Sequence, residues 1–357
     1  MRGGLAMSWM IILICFGASV LLTPLIRKIA LYFDITDKPD QRRINIKPIP
    51  SLGGLAMFIS FTIGMFLLPI ENEFLWPLLI AAFVMVLTGL LDDIMEFKAR
   101  YKLIGQVTAA FIIVFWGNIS IDFINLPFGG EIHFGVLSIP LTIIWIVAIT
   151  NAINLIDGLD GLAAGVSTIA LLTILGMAFI MGDALVIMIA SVLIAGTLGF
   201  LPYNFNPAKI FMGDTGALFL GFIISVLSVM GFKNVTFISL IVPILILGVP
   251  ISDTLFAIIR RMVTKQPIAM ADKSHLHHCL LRLGFTHRQT VILIYAIAAL
   301  FSLFAFIFTM STLWGSMILI GVLLILIEVL IETLGLVGST YRPLLNLFKL
   351  TKEEKLD

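Results

Sequence analysis

The adjacent carboxyl groups of Asp92 and Asp93 follow a long apolar run in the sequence. The run predicts a helix, and its C-terminal end is where the helix dipole disfavours anions. Glu96 and Lys98 come next, and a solvated loop in which these two charges neutralise each other explains them. The Asp92–Asp93 pair is not explained in this way, so we interpret it as a metal-binding or phosphate-handling pair.

Two amides and two acids recur at every third position of a second segment, as Asn151, Asn154, Asp157 and Asp160. Side chains three residues apart in a helix face nearly the same way, so this spacing predicts a polar row at a helix end. Such a row is costly at membrane depth unless it faces a wet cavity. An Asx-rich turn that caps the next helix explains Asp160 but not the whole row, which is the strongest indication of a functional site.

Another acid, Asp214, opens a further predicted helix. On its own, an Asp at that position is a helix N-cap. The convergence of three acidic clusters favours a different interpretation. Carboxylate and amide oxygens without histidine or cysteine spacing suit Mg²⁺, which is bound through few carboxylates, waters and substrate phosphates.

Two loops carry the remaining candidates. One contains His275, His277 and His278 within four residues. No Cys or Glu at the usual spacing completes a zinc site, and the basic surroundings favour a phosphate-binding or sugar-binding lid. The other loop places Lys47 within reach of an anionic ligand and Ser51 where it would cap the next helix. Binding of lipid headgroups explains Lys47 equally well.

Long apolar segments must position all of these residues. The chain of 357 residues is 60% hydrophobic and 12% charged, which is too apolar for a soluble globule of this size. Apolar runs of about 17–22 residues, each able to cross a hydrocarbon core as a helix, recur along it. We predict an all-α polytopic membrane protein with about eleven transmembrane helices. The predicted spans are 5–26, 52–70, 75–91, 103–119, 138–153, 162–181, 184–201, 216–231, 237–258, 290–309 and 316–336. Pro243 and Pro250 lie in the ninth of these spans, so we expect it to be kinked or broken there.

Basic residues mark one side of this arrangement. With the N-terminus outside, 20 of the 22 Lys and Arg fall in cytosolic segments, and only Arg2 and Lys233 fall outside. The positive-inside rule therefore predicts an external N-terminus and a cytosolic C-terminus. The segment 118–137 predicts a small external hairpin between spans 4 and 5. We expect residues 1–357 to form one integral-membrane domain with a cytosolic tail at 337–357.

With these residues identified, the sequence resembles the polyprenyl-phosphate N-acetylhexosamine-1-phosphate transferase family, or glycosyltransferase family 4. Five motifs carry a resemblance that covers essentially the whole chain. They are Lys-Pro-Ile-Pro-Ser-Leu-Gly-Gly at 47–54, Asp-Asp at 92–93, Asn-Ala-Ile-Asn-Leu-Ile-Asp-Gly-Leu-Asp-Gly at 151–161, Phe-Met-Gly-Asp-Thr-Gly at 211–216 and His-Leu-His-His at 275–278. The last motif is similar to that of members using UDP-GlcNAc, and the overall pattern resembles the bacterial branch that initiates teichoic acid synthesis. One departure is Asn45, where the family usually has His.

The resemblance implies transfer of GlcNAc-1-phosphate from UDP-GlcNAc to undecaprenyl phosphate, giving undecaprenyl-diphospho-GlcNAc and UMP. It implies a multi-pass protein of the bacterial plasma membrane with a cytosolic active site, Mg²⁺ or alternatively Mn²⁺ as cofactor, and no nucleic-acid partner. A homodimer is compatible with it. On this basis we expect the metal to be held by Asp214 and Asn154. The attacking phosphate would be handled by Asp92 and Asp93, with Asp92 as candidate base. We expect uridine to be bound by Asp157, Asp160, Asn204 and Phe211, and phosphates and sugar to be contacted by Lys47, Lys102, His275, His277 and His278.

Several alternatives stay open at this point. Another UDP-N-acetylhexosamine donor would leave the chemistry unchanged. A secondary transporter would also have many spans, although transporters place polar residues near the midplane rather than at one face. A non-enzymatic scaffold for cell-wall assembly would not require costly acids at membrane depth. Within the transferase interpretation, a phospho-enzyme on Asp92 or Asp93 competes with direct transfer.

Overall fold

The computed structural model describes a chain that is mostly α-helical. The described residues are 2–37, 48–70, 72–125, 130–231, 241–263, 265, 275–334, 336 and 343–347. The helices are α1 (Arg2–Tyr32), α2 (Gly53–Leu67), α3 (Asn72–Met95), α4 (Ala99–Phe111, continued by a π-helical turn, Ile112–Trp116), α5 (Ser138–Leu155), α6 (Leu162–Met181), α7 (Ala184–Asn204), α8 (Gly213–Gly231), α9 (Ile241–Ile246), α10 (Gly248–Val263), α11 (Leu276–Arg282), α12 (His287–Met310) and α13 (Leu313–Leu334). Two short antiparallel pairs join β1 (Thr36–Asp37) to β2 (Ile49–Pro50) and β3 (Phe123–Asn125) to β4 (Glu131–His133).

Each predicted span coincides with helix, but three are short or interrupted. Eight helices in the described ranges are long and apolar enough to cross a membrane, which confirms an all-α polytopic fold. The 15 residues of α2 extend for about 22 Å, less than a hydrocarbon core of about 30 Å. The fourth predicted span changes from α4 to a π-helical turn, and the ninth is divided into α9 and α10.

The break in the ninth span follows from Pro250. Proline has no N–H, so it cannot bond to the carbonyl of Ile246 four residues earlier, and α9 ends at that residue. The Ile251 N–H donates to the Leu247 carbonyl at 2.9 Å, and the helix continues as α10. The expected interruption of this span is confirmed.

The helix that carries Asp214, α8, lies at the centre of the assembly. It packs against α2, α3, α5, α6 and α7. The rest of the protein buries 83% of the apolar span in α8, compared with 17% of the span in α13. Phe219 of α8 packs edge-on against Phe58 and Phe61 of α2, with ring centroids 5.6 and 5.4 Å apart. Neighbours on several sides therefore hold the first turn of α8 in place.

Two neighbouring helices approach this first turn closely at glycines. A Cβ on Gly54 of α2 would lie 2.1 Å from the backbone nitrogen of Gly216. A Cβ on Gly89 of α3 would lie 2.5 Å from the Cα of Thr215. Because backbone atoms cannot move aside as the end of a side chain can, this packing requires glycine at both positions.

The first N–H groups of α2 form hydrogen bonds with backbone carbonyls and not with the side chain of Ser51. Its first two N–H groups donate to the carbonyl oxygens of Phe211 and Met212, each at 2.9 Å. The N-cap position is occupied by Leu52, and no side chain makes a cap hydrogen bond there. The prediction that Ser51 caps this helix is therefore wrong. The same bonds tie α2 to the segment that leads into α8.

The predicted hairpin is present as the antiparallel pair β3 and β4. Its tip, 126–129, lies outside the described residues. At its base Asp122 accepts hydrogen bonds from the hydroxyls of Ser120 and Ser138, at 2.5 and 3.0 Å. Since Ser138 opens α5, these bonds attach the hairpin to that helix.

Candidate active site

Asp93, near the C-terminal end of α3, caps the N-terminal end of α8. Its Oδ1 accepts from the Asp214 backbone N–H at 2.8 Å, and its Oδ2 accepts from the N–H and hydroxyl of Thr215 at 3.1 and 2.6 Å. A carboxylate stabilises a helix N-terminus in this way. The alternative that Asp214 itself caps α8 does not hold, because the helix begins at Gly213 and the capping carboxylate comes from α3.

The side chain of Lys102, in the first turn of α4, lies between the carboxylates of Asp92 and Asp214. Its Nζ donates to Asp92 Oδ2 at 3.1 Å and also to Asp214 Oδ2. Asn154 of α5 donates from Nδ2 to the other oxygen of Asp214, at 2.8 Å. Four predicted site residues from α3, α4, α5 and α8 are therefore brought together at one point.

One carboxylate oxygen at this point has no partner in the part of the chain that the structure describes. Asp92 Oδ1 is buried and makes no hydrogen bond within the described residues. Buried polar atoms without partners are uncommon in native proteins, and a bound ion, ligand or water accounts for many of them. Within the described ranges, no three Asp, Glu, His or Cys side chains are grouped closely enough to hold a metal ion. The carboxylates of Asp92 and Asp214 would therefore be the donors for a metal ion, and Mg²⁺ uses this number when phosphates and waters complete its shell.

Only half of the predicted polar row lies on a helix. The helix α5 ends at Leu155, so Asn151 and Asn154 are helical while Asp157 and Asp160 belong to the turn that follows. Glycines in this turn favour a tight reversal over continuation of the helix. The prediction of one continuous row is therefore wrong, although both halves lie at the same end of α5.

Asn151 pairs with Gln106, a buried residue of α4 that sequence analysis missed. Asn151 Nδ2 donates to Gln106 Oε1 at 2.7 Å, and Gln106 Nε2 donates to Asn151 Oδ1 at 3.2 Å. The pair cross-links α4 and α5 about one helical turn from Lys102 and Asn154. A lone amide in an apolar run was the available signal, but its partner is 45 residues away.

Asp157 lies half-buried in an acidic neighbourhood. Desolvation, followed by the negative charges of Asp214, Asp93, Asp37 and Asp160, raises the pKa of Asp157 well above its ordinary value. Asp37, in β1, is a member of this neighbourhood that sequence analysis missed. Such a concentration of negative charge favours the binding of cationic groups.

Asp160 connects the turn after α5 to the segment after α7 and to α12. Its Oδ2 accepts from Asn206 Nδ2 and from the Ala208 N–H, at 2.8 and 3.0 Å. Its own N–H donates to Nε2 of His287, at the start of α12, at 3.0 Å. The two residues are 127 positions apart, so no local pattern in the sequence indicates a role for His287. Contact of Asp160 with uridine stays a prediction.

Asn204 joins two segments of the chain from a buried position. Its Oδ1 accepts from the Gly161 N–H, and its Nδ2 donates to the Ile210 carbonyl, both at 3.1 Å. The amide therefore holds the start of α6 against the segment before α8. The side chain is 2% exposed and braces these two segments, and its contact with uridine stays a prediction.

Phe211 and Lys47 complete the predicted substrate contacts. The Phe211 N–H donates to the Pro50 carbonyl at 2.8 Å, which fixes the backbone, while its ring is partly exposed and can stack on a base. Lys47 lies outside the described residues, as does Asn45, so its contact with a phosphate stays a prediction.

The three histidines lie at the start of α11. His275 occupies the N-cap position, and its Nδ1 lies 2.9 Å from Oδ2 of Asp253 in α10. The ring of buried His277 is parallel to that of His275, with centroids 5.9 Å apart, and its centroid lies 4.2 Å from that of His278. Desolvation, followed by the positive charge of His278, lowers the pKa of His277 to about 3. A Cβ on Gly158 would lie 2.5 Å from His277 Nε2, so His277 lies against the turn after α5.

Known proteins share this sequence pattern. Residues 75–232 match the family model for glycosyl transferase family 4. The chain is 46% identical over 333 residues to a Bacillus subtilis (strain 168) protein described as "Probable undecaprenyl-phosphate N-acetylglucosaminyl 1-phosphate transferase", covering 92% of this chain and 93% of that protein. It is 36% identical over 304 residues to the decaprenyl-phosphate N-acetylglucosaminephosphotransferase of Mycolicibacterium smegmatis, covering 76% and 74%. It is 30% identical over 337 residues to the phospho-N-acetylmuramoyl-pentapeptide-transferase of Chloroherpeton thalassium, covering 84% and 89%.

The match to the Bacillus subtilis protein extends over nearly its full length, and the family model includes Asp92, Lys102 and Asp214. The chain belongs to glycosyl transferase family 4.

Proposed function

We propose that this protein transfers GlcNAc-1-phosphate from UDP-GlcNAc to undecaprenyl phosphate, giving undecaprenyl-diphospho-GlcNAc and UMP. The names of the relatives from Bacillus subtilis and Mycolicibacterium smegmatis support both the sugar and a polyprenyl phosphate acceptor. A lipid acceptor also explains why the site lies among apolar helices. We propose that the product starts a cell-wall polymer, and that this polymer is teichoic acid.

The observation that carries the proposal is the Asp92–Lys102–Asp214 cluster at the N-terminal end of α8. In the reaction, an oxygen of the lipid phosphate attacks the β-phosphorus of the donor, and the bond from that phosphorus to UMP breaks. Both reactants are anions, so the protein must mainly neutralise charge and position the two phosphates. A lysine beside a helix N-terminus supplies donors for phosphate oxygens.

We propose Mg²⁺ as the cofactor, held by Asp214 and Asp92. The unpartnered Asp92 Oδ1 and the two-carboxylate donor set support this assignment. When bound, the ion neutralises charge on the donor diphosphate and its leaving group. Asn154 contributes an oxygen only with its amide reversed, because its Nδ2 donates to Asp214 in the present orientation.

The side chains of the cluster have separate roles in this proposal. Lys102 has three N–H donors, two of which bond to Asp92 and Asp214, so the third is available for a phosphate oxygen. Asp92 is the candidate base, although a phosphate monoester with a second pKa of about 6 is largely ionised at neutral pH and does not require one. Asp93 keeps the first turn of α8 in place.

The contacts of Asp93 favour direct transfer over a phospho-enzyme on that residue, because both of its oxygens bond to α8. A phospho-enzyme on Asp92 is the remaining competitor, since its Oδ1 has no partner in the described residues. Isotope exchange between UMP and UDP-GlcNAc in the absence of lipid separates the two routes. Direct transfer predicts no exchange.

We propose that the site faces the cytosol of a bacterial cell, where the soluble donor meets the lipid acceptor. The distribution of Lys and Arg supports this orientation. The donor would contact the turn after α5, the ring of Phe211 and the histidines at the start of α11, of which His277 lies against that turn.

Release of UMP by the purified protein tests the function. UDP-GlcNAc, UDP-GalNAc and UDP-MurNAc-pentapeptide would each be supplied with and without undecaprenyl phosphate and Mg²⁺. We expect release from UDP-GlcNAc only when lipid and Mg²⁺ are both present. Release that does not depend on the lipid, or no release from any of the three donors, would contradict the proposal.

A further inference from the structure

Asp253 is a buried acid to which the proposed reaction assigns no role. It lies in α10 and is 5% exposed. Its Oδ2 lies 2.9 Å from Nδ1 of His275, and its Oδ1 accepts from the Leu276 N–H at 2.7 Å. Both carboxylate oxygens therefore bond to the start of α11.

These bonds explain how the charge can be buried. An ionised carboxylate is costly to remove from water unless it is paired and hydrogen-bonded. His275 occupies the N-cap position of α11 but makes no side-chain cap bond, so the capping oxygen comes from a different helix. One carboxylate thus fixes a backbone N–H and a side chain of α11 together.

Asp253 also orients the ring of His275. When Nδ1 donates to the carboxylate, Nε2 becomes the acceptor and the ring cannot rotate without breaking the bond. The planes of the His275 and His277 rings differ by 2°, and His277 lies against Gly158. The ring that Asp253 orients therefore lies parallel to the ring of His277, which borders the turn between α5 and α6.

We propose that Asp253 is a positioning residue for the nucleotide-sugar donor: it holds His275 and the first turn of α11 so that the histidines present one arrangement to the diphosphate and sugar. This inference rests on the proposed function, since it takes these histidines as contacts of the donor. Asp253 itself contacts neither substrate, and its loss weakens donor binding while leaving acceptor binding unchanged.

Steady-state kinetics test the proposal with Asp253→Ala, His275→Ala and the double variant. The matched control is Thr254→Ala on the same helix, whose hydroxyl donates to the Pro250 carbonyl and which should behave as wild type. We expect Asp253→Ala to raise the donor KM about tenfold or more, because a hydrogen bond to a charged group is lost. The acceptor KM should change less than about twofold. When His275 is already alanine, Asp253→Ala should raise the donor KM by a smaller factor than in the wild type, because only the bond to the Leu276 N–H is then left to lose.

Two kinetic outcomes would overturn the inference. One is additivity of the Asp253 and His275 substitutions, and the other is an equal loss of donor and acceptor binding. Should Asp253→Ala fail to fold, Asp253→Asn carries the same comparison. It keeps an oxygen for the Leu276 N–H and removes the charge that orients His275.

Labelling of Cys279 tests the anchoring without measuring turnover. Cys279 lies in α11 and is 2% exposed, and buried Cys15 in α1 serves as the internal reference. We expect Asp253→Ala to speed maleimide labelling of Cys279 about tenfold or more through local opening, while labelling of Cys15 is unchanged. Unchanged labelling of Cys279 overturns the anchoring.

The two experiments separate the failure of this inference from that of the proposed function. A wild-type protein that releases UMP, with no change in donor KM for Asp253→Ala, contradicts only the role of Asp253. A wild-type protein that releases no UMP contradicts the proposed function and the donor role together, whatever the labelling result.

Discussion

Lys102 is placed where two carboxylates from different helices would otherwise repel each other. It contacts both Asp92 and Asp214, and all three side chains are partly buried. Like charges in such surroundings interact more strongly than in water, so a cation between them stabilises the folded protein. The same three charges would also be available to a metal-dependent phosphate transfer.

Replacement of Asp214 tests this cluster. We expect Asp214→Asn to lower turnover about a hundredfold or more, because one of the two carboxylates that we propose bind the metal is lost, and added Mg²⁺ should not restore it. Removal of Mg²⁺ by a chelator should abolish turnover of the wild-type protein. UMP release measures both effects.

Asp183→Asn is the matched control for Asp214→Asn. Asp183 caps α7 by accepting from the Val186 N–H at 3.0 Å, and Asn caps helices equally well. This variant should therefore keep wild-type turnover. Full Mg²⁺-dependent turnover by Asp214→Asn would show that Asp214 does not hold the metal.

His277 makes the stability of the protein depend on pH. Its pKa is about 3 in the folded chain, against about 6.5 for a free histidine. Between these values the unfolded chain binds more protons, so stability is fully present above about pH 6.5 and falls as the pH decreases. The slope approaches about 1.4 kcal/mol per pH unit for one proton.

Thermal unfolding from about pH 8 to about pH 5 measures this effect. We expect His277→Gln to lose less stability than the wild type over this range, because it has no group to protonate. His133→Gln, in the exposed strand β4, should retain the wild-type dependence. Parallel curves for wild type and His277→Gln would contradict the prediction.

Several helices that begin at the site are capped by groups from other elements. Asp93 of α3 caps α8, Asn204 of α7 bonds to the Gly161 N–H before α6, and Asp253 of α10 bonds to the first N–H of α11. In the same way, the backbone carbonyls of residues 211–212 accept hydrogen bonds from the first N–H groups of α2. The first N–H groups of a helix have no partner within it, and they need one where water is scarce. These caps join neighbouring elements into one rigid face.

The close approach of α2 to α8 can be tested at Gly54. A Cβ there would meet the backbone of Gly216, so we expect Gly54→Ala to lower the free energy of unfolding by about 1–3 kcal/mol. Turnover should fall as well, because the first turn of α8 carries Asp214. Thermal unfolding and UMP release would be measured on the same preparation.

Gly321→Ala is the control for this substitution. Gly321 lies in α13, where a Cβ would meet no atom within 4 Å, so alanine should be neutral or stabilise the helix by up to about 1 kcal/mol. If Gly54→Ala were equally well tolerated, the close approach of α2 to α8 would be disproved.

At the scale of the whole molecule, the site residues lie at one end of an alternating set of helices. The helices α3, α5 and α7 end there, and α4, α6, α8 and α12 begin there. Consecutive spans run in opposite directions, so such residues share a face although they are far apart in sequence. We propose that this face is cytosolic.

Cysteine labelling in intact cells tests the orientation. We expect Glu131→Cys, in the exposed hairpin strand β4, to react with a membrane-impermeant maleimide in intact cells. Lys98→Cys, before α4 at the site, should react only after the membrane is permeabilised. The native Cys15 and Cys279 are buried and should contribute a slow background. Reversed labelling would place the site outside the cell.

The sequence by itself was sufficient to predict the helices, the interruption of the ninth span and the segments that form the site. Hydropathy and the missing N–H of Pro250 are local properties, which explains why they can be read without a partner. The clustering of Asp92, Lys102, Asn154 and Asp214 also follows from helix direction, because their helix ends must lie on one face. The resemblance to the family then makes these positions a candidate site.

Only the tertiary structure decided which polar groups of the site already form hydrogen bonds within the protein and which are left for a ligand. Asp93 and Asn204 look like ligand-binding residues in sequence, yet both bond to the starts of other helices, while Asp92 Oδ1 has no partner among the described residues. The roles of Gln106 and Asp253 could not be predicted either, because their hydrogen-bond partners lie far away in the sequence. Whether a carboxylate or amide is available to a ligand depends on the helix packed beside it, and that neighbour is set by long-range packing rather than by the residues nearby in the chain.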